Sequence, residues 1–176
     1  VKFNKLNVVD DNAFNSCSNL TSVKMPKCTN INVGAFQNCT SLEEIEIPNV
    51  TLIGVYAFKG CTNLKKVINN DRNTTEVHKD AFMSCYNLKD INFDSFKKIE
   101  SGAFIDCRSI DKLDLNSCES IGNSAFYGCE NLSQLTLSVC KKIGPNAFTN
   151  CSKLTKVYIK NNSNNFCELE DVSAFC

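Results

Sequence analysis

The dipeptide Ala-Phe recurs eight times in this chain, with its aromatic residue at Phe14, Phe36, Phe58, Phe82, Phe104, Phe126, Phe148 and Phe175. The intervals are 22, 22, 24, 22, 22, 22 and 27 residues. A fixed period of roughly 20–50 residues marks an array of stacked units, none of which can bury its own apolar face. That requirement outranks every other reading of the sequence.

Alignment on the Phe shows what each position demands. Three residues later stands Cys17, Cys39, Cys61, Cys85, Cys107, Cys129 or Cys151. Six residues later stands a large aliphatic (Leu20, Leu42, Leu64, Leu88, Ile110, Leu132, Leu154), and nine later Val23, Ile45, Val67, Ile91, Leu113, Leu135 or Val157. Five residues before the Phe comes Val9, Ile31, Ile53, Val77, Ile99, Ile121 or Ile143. The Ile-x-Leu end of the pattern alternates with period two, as a half-buried strand does. In the other half Ile, Ala and Cys lie four apart, the spacing of one helical face. Each unit is therefore expected to hold a short strand and a turn or two of helix or 3-10 helix. Val1, Phe3 and Leu6 fit the strand half of a preceding unit, which gives about eight units. The phase fails toward the C-terminus, so residues 161–176 are expected to form an irregular last unit. Neither end carries an evident cap, which leaves end-to-end self-association as an expectation.

Length and charge narrow the class. The 176 residues fit a single domain, 1–176, read as a fragment of a longer array because the chain begins mid-repeat at Val1. With 19 Lys+Arg against 19 Asp+Glu there is no basic surplus to neutralise phosphates, so nucleic acid is not an expected partner. No apolar run approaches the roughly 20 residues of a membrane span, so this segment is not expected to insert into a membrane.

The residues Leu132 to Leu137 and Ile143 to Cys151, and above all Ile121-Gly122-Asn123-Ser124-Ala125-Phe126-Tyr127-Gly128-Cys129, resemble the BspA-type leucine-rich repeat. The resemblance covers nearly the whole chain. It implies an α/β leucine-rich-repeat solenoid with a concave parallel β-sheet and short helical or 3-10 turns on the convex side. It also implies a cell-surface or secreted, adhesin-like protein of bacteria or parasitic protists that binds host proteins. The stretch from Cys129 through Leu132, Leu135, Leu137 and Cys140 to Ile143 also resembles the cysteine-containing repeats of cytoplasmic F-box substrate adaptors. Those repeats are longer, roughly 26 residues, and lack the Ala-Phe pair.

The 12 cysteines are read as structure rather than chemistry. The column three residues after the Phe suits a small buried hydrophobe bearing a thiol. Regular stacking opposes bridging along it, because equivalent side chains point the same way and keep their Cβ atoms about 4.8 Å apart, outside the disulfide window. Cys167 and Cys176 lie out of phase and are placed to staple the last loop in an oxidising compartment. No Cys-x-x-Cys pair occurs and His78 is the single histidine, so no metal or other cofactor is expected. His78 has no nucleophile and acid arranged around it in sequence, and no glycine-rich phosphate loop appears. A catalytic role is not expected.

Asn19, Asn63, Asn87 and Asn131 share one repeat position where small polar side chains suit the turn into a strand. A protein ligand is the expected partner, read by residues pointing outward from the concave strands. The candidates are Glu43, Glu44, Glu46, Lys65, Lys66, Ile68, Asp90, Asp114, Lys156 and Tyr158. They form a mosaic of charges, which favours specificity and encounter rate more than affinity. Within it, Glu43, Glu44 and Glu46 facing Lys65 and Lys66 read equally as a cross-strand ion-pair ladder.

Overall fold

The computed structural model describes residues 1–69 and 76–159, with the backbone of 168–169. Among these residues every regular element is a strand. In chain order they are β1 (Val8–Val9), β2 (Ser22–Lys24), β3 (Asn30–Ile31), β4 (Glu44–Glu46), β5 (Leu52–Ile53), β6 (Lys66–Ile68), β7 (Glu76–Val77) and β8 (Asp90–Ile91). There follow β9 (Lys98–Ile99), β10 (Lys112–Leu115), β11 (Ser120–Ile121), β12 (Gln134–Leu137), β13 (Lys142–Ile143), β14 (Lys156–Ile159) and β15 (Glu168–Leu169). The chain winds as a parallel solenoid of about seven turns, each coil contributing one strand to each of two faces. The odd-numbered strands form one eight-stranded parallel sheet. The even-numbered, longer strands form a four-stranded sheet β2-β4-β6-β8 and a three-stranded sheet β10-β12-β14.

The helical turns expected between the strands are absent from the described residues, and the four-residue spacing of Ile, Ala and Cys has another cause. It comes from successive β-turns. Within one coil the amide N–H groups of Ala35, Gln37 and Cys39 donate three residues back, to the carbonyls of Asn32, Gly34 and Phe36. The alternate N–H groups, of Gly34, Phe36 and Asn38, donate instead to Val55, Ala57 and Lys59 in the next coil, at 2.9, 2.7 and 2.8 Å. A helix would return every donor to a carbonyl four residues back; here half of them tie neighbouring coils together. Two positions per coil, two residues either side of the Phe, hold φ between 53° and 74°. Their occupants are Asn, Asp, Ser or Gly in every coil but one, where Tyr56 takes the left-handed conformation.

The two-residue strands of the eight-stranded sheet come from the column that the spacing assigned to a helical face. Val9, Ile31, Ile53, Val77, Ile99, Ile121 and Ile143 point inward there and are almost fully buried. The expected count of eight units is likewise not reached among the described residues. Seven coils carry the Phe, and the eighth Ala-Phe pair lies outside them.

The core is a column of rings. Phe14, Phe36, Phe58, Phe82, Phe104, Phe126 and Phe148 stack face to face at 5.0–5.5 Å between centroids, with interplanar angles of 3–10°. Six of them are buried; Phe14, in the first coil, is half-buried, as are Cys17 and Leu20 beside it. Beside the rings runs the cysteine column. Cys39, Cys61, Cys85, Cys107, Cys129 and Cys151 are buried, and each thiol donates to the carbonyl of the Phe one coil back, at 3.0–3.4 Å. A cysteine at this position is both a small apolar filler and a weak donor to a carbonyl on the neighbouring coil.

Candidate protein-binding face

Residues on the longer strands alternate between the core and solvent, so one row of side chains per strand is presented outward. Ile45, Val67, Leu113 and Leu135 point inward and are buried. Between them the chain presents Glu44 in register with Lys66, Lys66 with Asp90, and Lys112 with Gln134 and then Lys156. One residue pair further along each strand come Lys24, Glu46 and Ile68, and then Asp114, Thr136 and Tyr158.

Some of these charges are consumed within the face. Glu43 accepts a hydrogen bond from Lys65 Nζ at 3.0 Å, and Glu46 pairs with Lys24 at 2.9 Å. The hydrogen bond from Lys24 to Glu46 holds that ammonium above its ordinary range. Glu43 and Lys65 thus bridge as the ladder reading has it, whereas Glu46 turns to Lys24 on the coil before. Glu44, Lys66, Asp90, Asp114 and Lys156 make no ion pair among the described residues. Ile68 is half-buried, whereas Tyr158, on the outermost strand of its sheet, is 49% exposed.

The longer-strand face is broken once. β8 pairs only with β6, and β10 only with β12. The series of backbone bonds in which Glu43 donates to Thr21, Lys65 to Glu43, Lys89 to Lys65, Ser133 to Asp111 and Thr155 to Ser133 lacks the step from Asp111 to Lys89. The eight-stranded sheet runs past this level without interruption. The cause lies in the side chains of one coil. Phe93 and Phe96 stand where other coils place Met25, Ile47, Leu115 or Leu137 and Cys28, Val50, Cys118 or Cys140. Phe93 meets Phe96 edge-on at 5.7 Å and reaches on to Phe104 and Phe126, at 5.4 and 6.3 Å, beneath the next two coils. The strand stops after two residues, and Asp94 N–H donates to Asn92 Oδ1 at 2.9 Å as the chain bends away. One coil earlier, Asn69 occupies the same apolar column and is 1% exposed. Its side chain replaces the backbone ladder: Nδ2 donates to Asn92 O at 2.8 Å and Oδ1 accepts from Asn92 N–H at 3.0 Å.

Four of the buried thiols are suited to packing and not to reaction. Burial pushes Cys85, Cys107 and Cys129 well above the ordinary thiol range, and pushes Cys151 up to about 12. A thiolate nucleophile needs the opposite environment. The ten described cysteines are all free, and no three His, Cys, Asp or Glu side chains among the described residues are grouped to hold a metal ion. Cys167 and Cys176, the pair read as a C-terminal staple, lie outside the described residues. His78 is half-buried, between Glu76 Oε2 at 3.4 Å and Glu100 Oε2 at 3.7 Å. No helix of the described residues is long and apolar enough to cross a membrane.

A family model described as the BspA type Leucine rich repeat region matches residues 7–133 and 75–170, in 6 copies. No curated protein matches the chain. Among solved structures, the T. pallidum Leucine Rich Repeat protein (TpLRR) is 30% identical, with a TM-score of 0.77 over 85% of this chain and 72% of that one. A leucine-rich repeat protein from Bacteroides ovatus is 25% identical, with a TM-score of 0.67 over 88% of this chain and 41% of its own. A leucine rich cell surface protein from Faecalibacterium prausnitzii shares the fold at 22% identity and a TM-score of 0.50, over 91% of this chain and 44% of its own. The chain thus spans less than half the length of the latter two.

Proposed function

The chain belongs to the BspA type leucine rich repeat family, and from that premise we propose that it is a non-enzymatic, adhesin-like segment of a cell-surface or secreted protein. In this reading it binds a host protein through the face of its longer strands, taken as the concave side. The observation that carries the reading is the row of outward charges left without partners. Glu44, Lys66, Asp90, Asp114 and Lys156 stand on a rigid parallel scaffold and make no ion pair, with Tyr158 exposed beside Lys156. Charged side chains standing free on such a scaffold are available to meet opposite charges on a partner. Rigid strands also position side chains without the ordering cost that a flexible loop pays on binding. The face has no continuous basic stripe for nucleic acid. Nothing in the comparisons favours the cytoplasmic substrate-adaptor reading.

The experiment is binding of fluorescently labelled protein to host epithelial cells by flow cytometry. Unlabelled protein should compete the signal away. The variant Lys156→Glu with Tyr158→Ala, checked for its fold by circular dichroism, should bind at least tenfold more weakly. Saturable binding unchanged by that variant, or no competable binding at all, contradicts the proposal.

A further inference from the structure

The break between β8 and β10 divides the longer-strand face into two panels, β2-β4-β6-β8 and β10-β12-β14. The panels share a spine. At the same level the eight-stranded sheet pairs β7 with β9, and Glu100 N–H donates to Val77 O at 2.9 Å. The turns are joined as well. Asp80, Phe82 and Ser84 N–H groups donate to Ser101, Ala103 and Ile105 carbonyls at 3.1, 2.7 and 2.8 Å, and Phe82 stacks on Phe104 at 5.0 Å. Two walls of the coil are closed at this level and the third is open.

What spans the open wall is weak or non-directional. Lys89 Nζ reaches Asp111 Oδ2 at 3.6 Å, with the two side chains 60% and 50% exposed, and Asn116 Nδ2 donates to Asp94 Oδ1 at 3.3 Å. An exposed ion pair of that length contributes little. Phe93 reaches beneath the next two coils through tilted ring contacts, at 59° to Phe104 and 60° to Phe126. Apolar contacts of this kind lack the directionality of a ladder bond.

A regular stack would place two further backbone bonds at this level. Asp111 N–H would donate to Lys89 O, as Glu43 N–H does to Thr21 O at 2.8 Å and Ser133 N–H to Asp111 O at 2.9 Å. Phe93 N–H would donate to Asp114 O, as Met25 N–H does to Glu46 O at 2.8 Å and Ile47 N–H to Ile68 O at 2.9 Å. Neither Asp111 N–H nor Phe93 N–H has a backbone partner as the coils stand. A gap of about 150 Å³ remains there, lined by Ile91, Asn92, Phe93, Asp94, Lys112 and Asp114. Rotation of one panel toward the other about the spine closes that gap and makes both bonds, but it displaces the Phe93 ring from its contacts. The seam thus has two arrangements with opposing gains, which is the condition for a switchable element.

We infer that the seam between β8 and β10 is a hinge, about which the two panels of the longer-strand face close and open while the eight-stranded sheet stays paired. Each panel moves as a body. The hinge angle sets the curvature of the face and the separation of its outward charges, Lys66 and Asp90 on one panel and Asp114 and Lys156 on the other. A face of adjustable curvature seats partners of differing shape. That use rests on the protein-binding reading above, whereas the hinge itself does not. Collective hinge motions of this kind run on the microsecond-to-millisecond scale.

The test is amide relaxation dispersion on isotopically labelled protein, which reads that timescale. Ile91, Phe93, Asp111 and Lys112 should show dispersion with one common rate, and the minor-state shift of the Asp111 amide should move toward those of Glu43 and Ser133. Ile47 and Ser133, at equivalent positions in unbroken coils, should stay flat. Lys89→Ala with Asn116→Ala, which removes both surface ties, should shift the two populations by about threefold. Phe93→Leu with Phe96→Cys, which brings in residue types of the other coils, should hold the panels closed and abolish the dispersion. Flat profiles at the seam, dispersion of equal size in every coil, or dispersion that persists in the Phe93→Leu, Phe96→Cys variant overturns the inference. Cell binding by a protein whose seam is silent overturns the hinge alone. A moving seam in a protein that binds no cell contradicts the wider reading and leaves the hinge standing.

Discussion

Truncation of Phe104 to alanine strikes the ring column where it is most completely packed. Phe104 is fully buried and is sandwiched between Phe82 at 5.0 Å and Phe126 at 5.2 Å, with interplanar angles of 8° and 3°. Phe93 and Phe96 close on it from the side, at 5.4 and 6.3 Å. A buried Phe→Ala change costs about 3–5 kcal/mol through lost transfer free energy and the cavity it leaves. Ring pairs add roughly 0.5–1.5 kcal/mol each beyond their buried area. The coils above and below are held by backbone bonds between coils and cannot collapse into the gap. The cost should therefore fall at the upper end, about 4–5 kcal/mol, which lowers the melting temperature by roughly 10–20 °C. Phe14 is the internal control. It is half-buried in the first coil, with one parallel neighbour, Phe36 at 5.0 Å, and a tilted contact with Phe3. Its truncation should cost about 2 kcal/mol. Urea melts under reducing conditions, monitored by far-ultraviolet circular dichroism, measure both. A loss below about 1 kcal/mol for Phe104→Ala, or equal losses at the two positions, would refute the reasoning.

Further outcomes follow from the same contacts. Asn69→Leu removes both bonds to Asn92 and leaves a backbone N–H and carbonyl unpaired, so it should destabilise by about 1–3 kcal/mol although it restores an apolar residue to an apolar column; a stabilised variant in urea melts argues against the bridge. Gly102→Ala places a methyl group against Asp80 Oδ1 at a φ of 68°, so it should cost about 1 kcal/mol or more, and Asp80→Gly in the same chain should recover part of that loss. Stability should also fall in alkali. An unfolded cysteine ionises near pH 9, whereas burial keeps Cys85, Cys107 and Cys129 protonated well above that, and Cys151 up to about 12. Above pH 9 the unfolded chain thus binds fewer protons than the folded one, and each such thiol removes about 1 kcal/mol of stability between pH 9 and 10. Urea midpoints across that range should drop steeply for the natural chain and less steeply for Cys107→Ala with Cys129→Ala; identical slopes would contradict the buried placement of those thiols.

Much of the fold was legible because every coil repeats the same burial demand. The Phe, Cys, Leu and Ile columns announce inward positions, and their phase gives the period. The turns around each Phe were not legible, because four-residue spacing is shared by a helix and by consecutive β-turns. The distinguishing signal was present as Asn, Asp, Ser or Gly at two positions per coil, as with Asn12 and Ser16 or Gly34 and Asn38, the residues that tolerate positive φ. Tyr56 blurs that signal. The outward charges on the longer strands followed directly from alternation, but which of them pair within the face depended on side-chain reach that period alone does not give. Glu43 and Lys65 bridge, whereas Glu44 and Lys66, equally in register, do not. The break after β8 was visible only as departures, Asn69, Phe93 and Phe96 in columns that most coils fill with aliphatic residues or cysteine. A consensus discards such departures, although here they are where one coil differs in structure from the rest.

Regular stacking of the coils is the claim on which the packing and the outward rows both depend, and thiol accessibility tests it most directly. The native protein is exposed to iodoacetamide for graded times, then denatured without reductant, labelled with a second reagent and mapped by peptide mass. Half-buried Cys17 should react first, and Cys61, Cys85, Cys107 and Cys129 should take only the second label, each as a free thiol. A disulfide joining neighbours of that column, or native labelling of Cys107 as fast as Cys17, would contradict the stacked geometry.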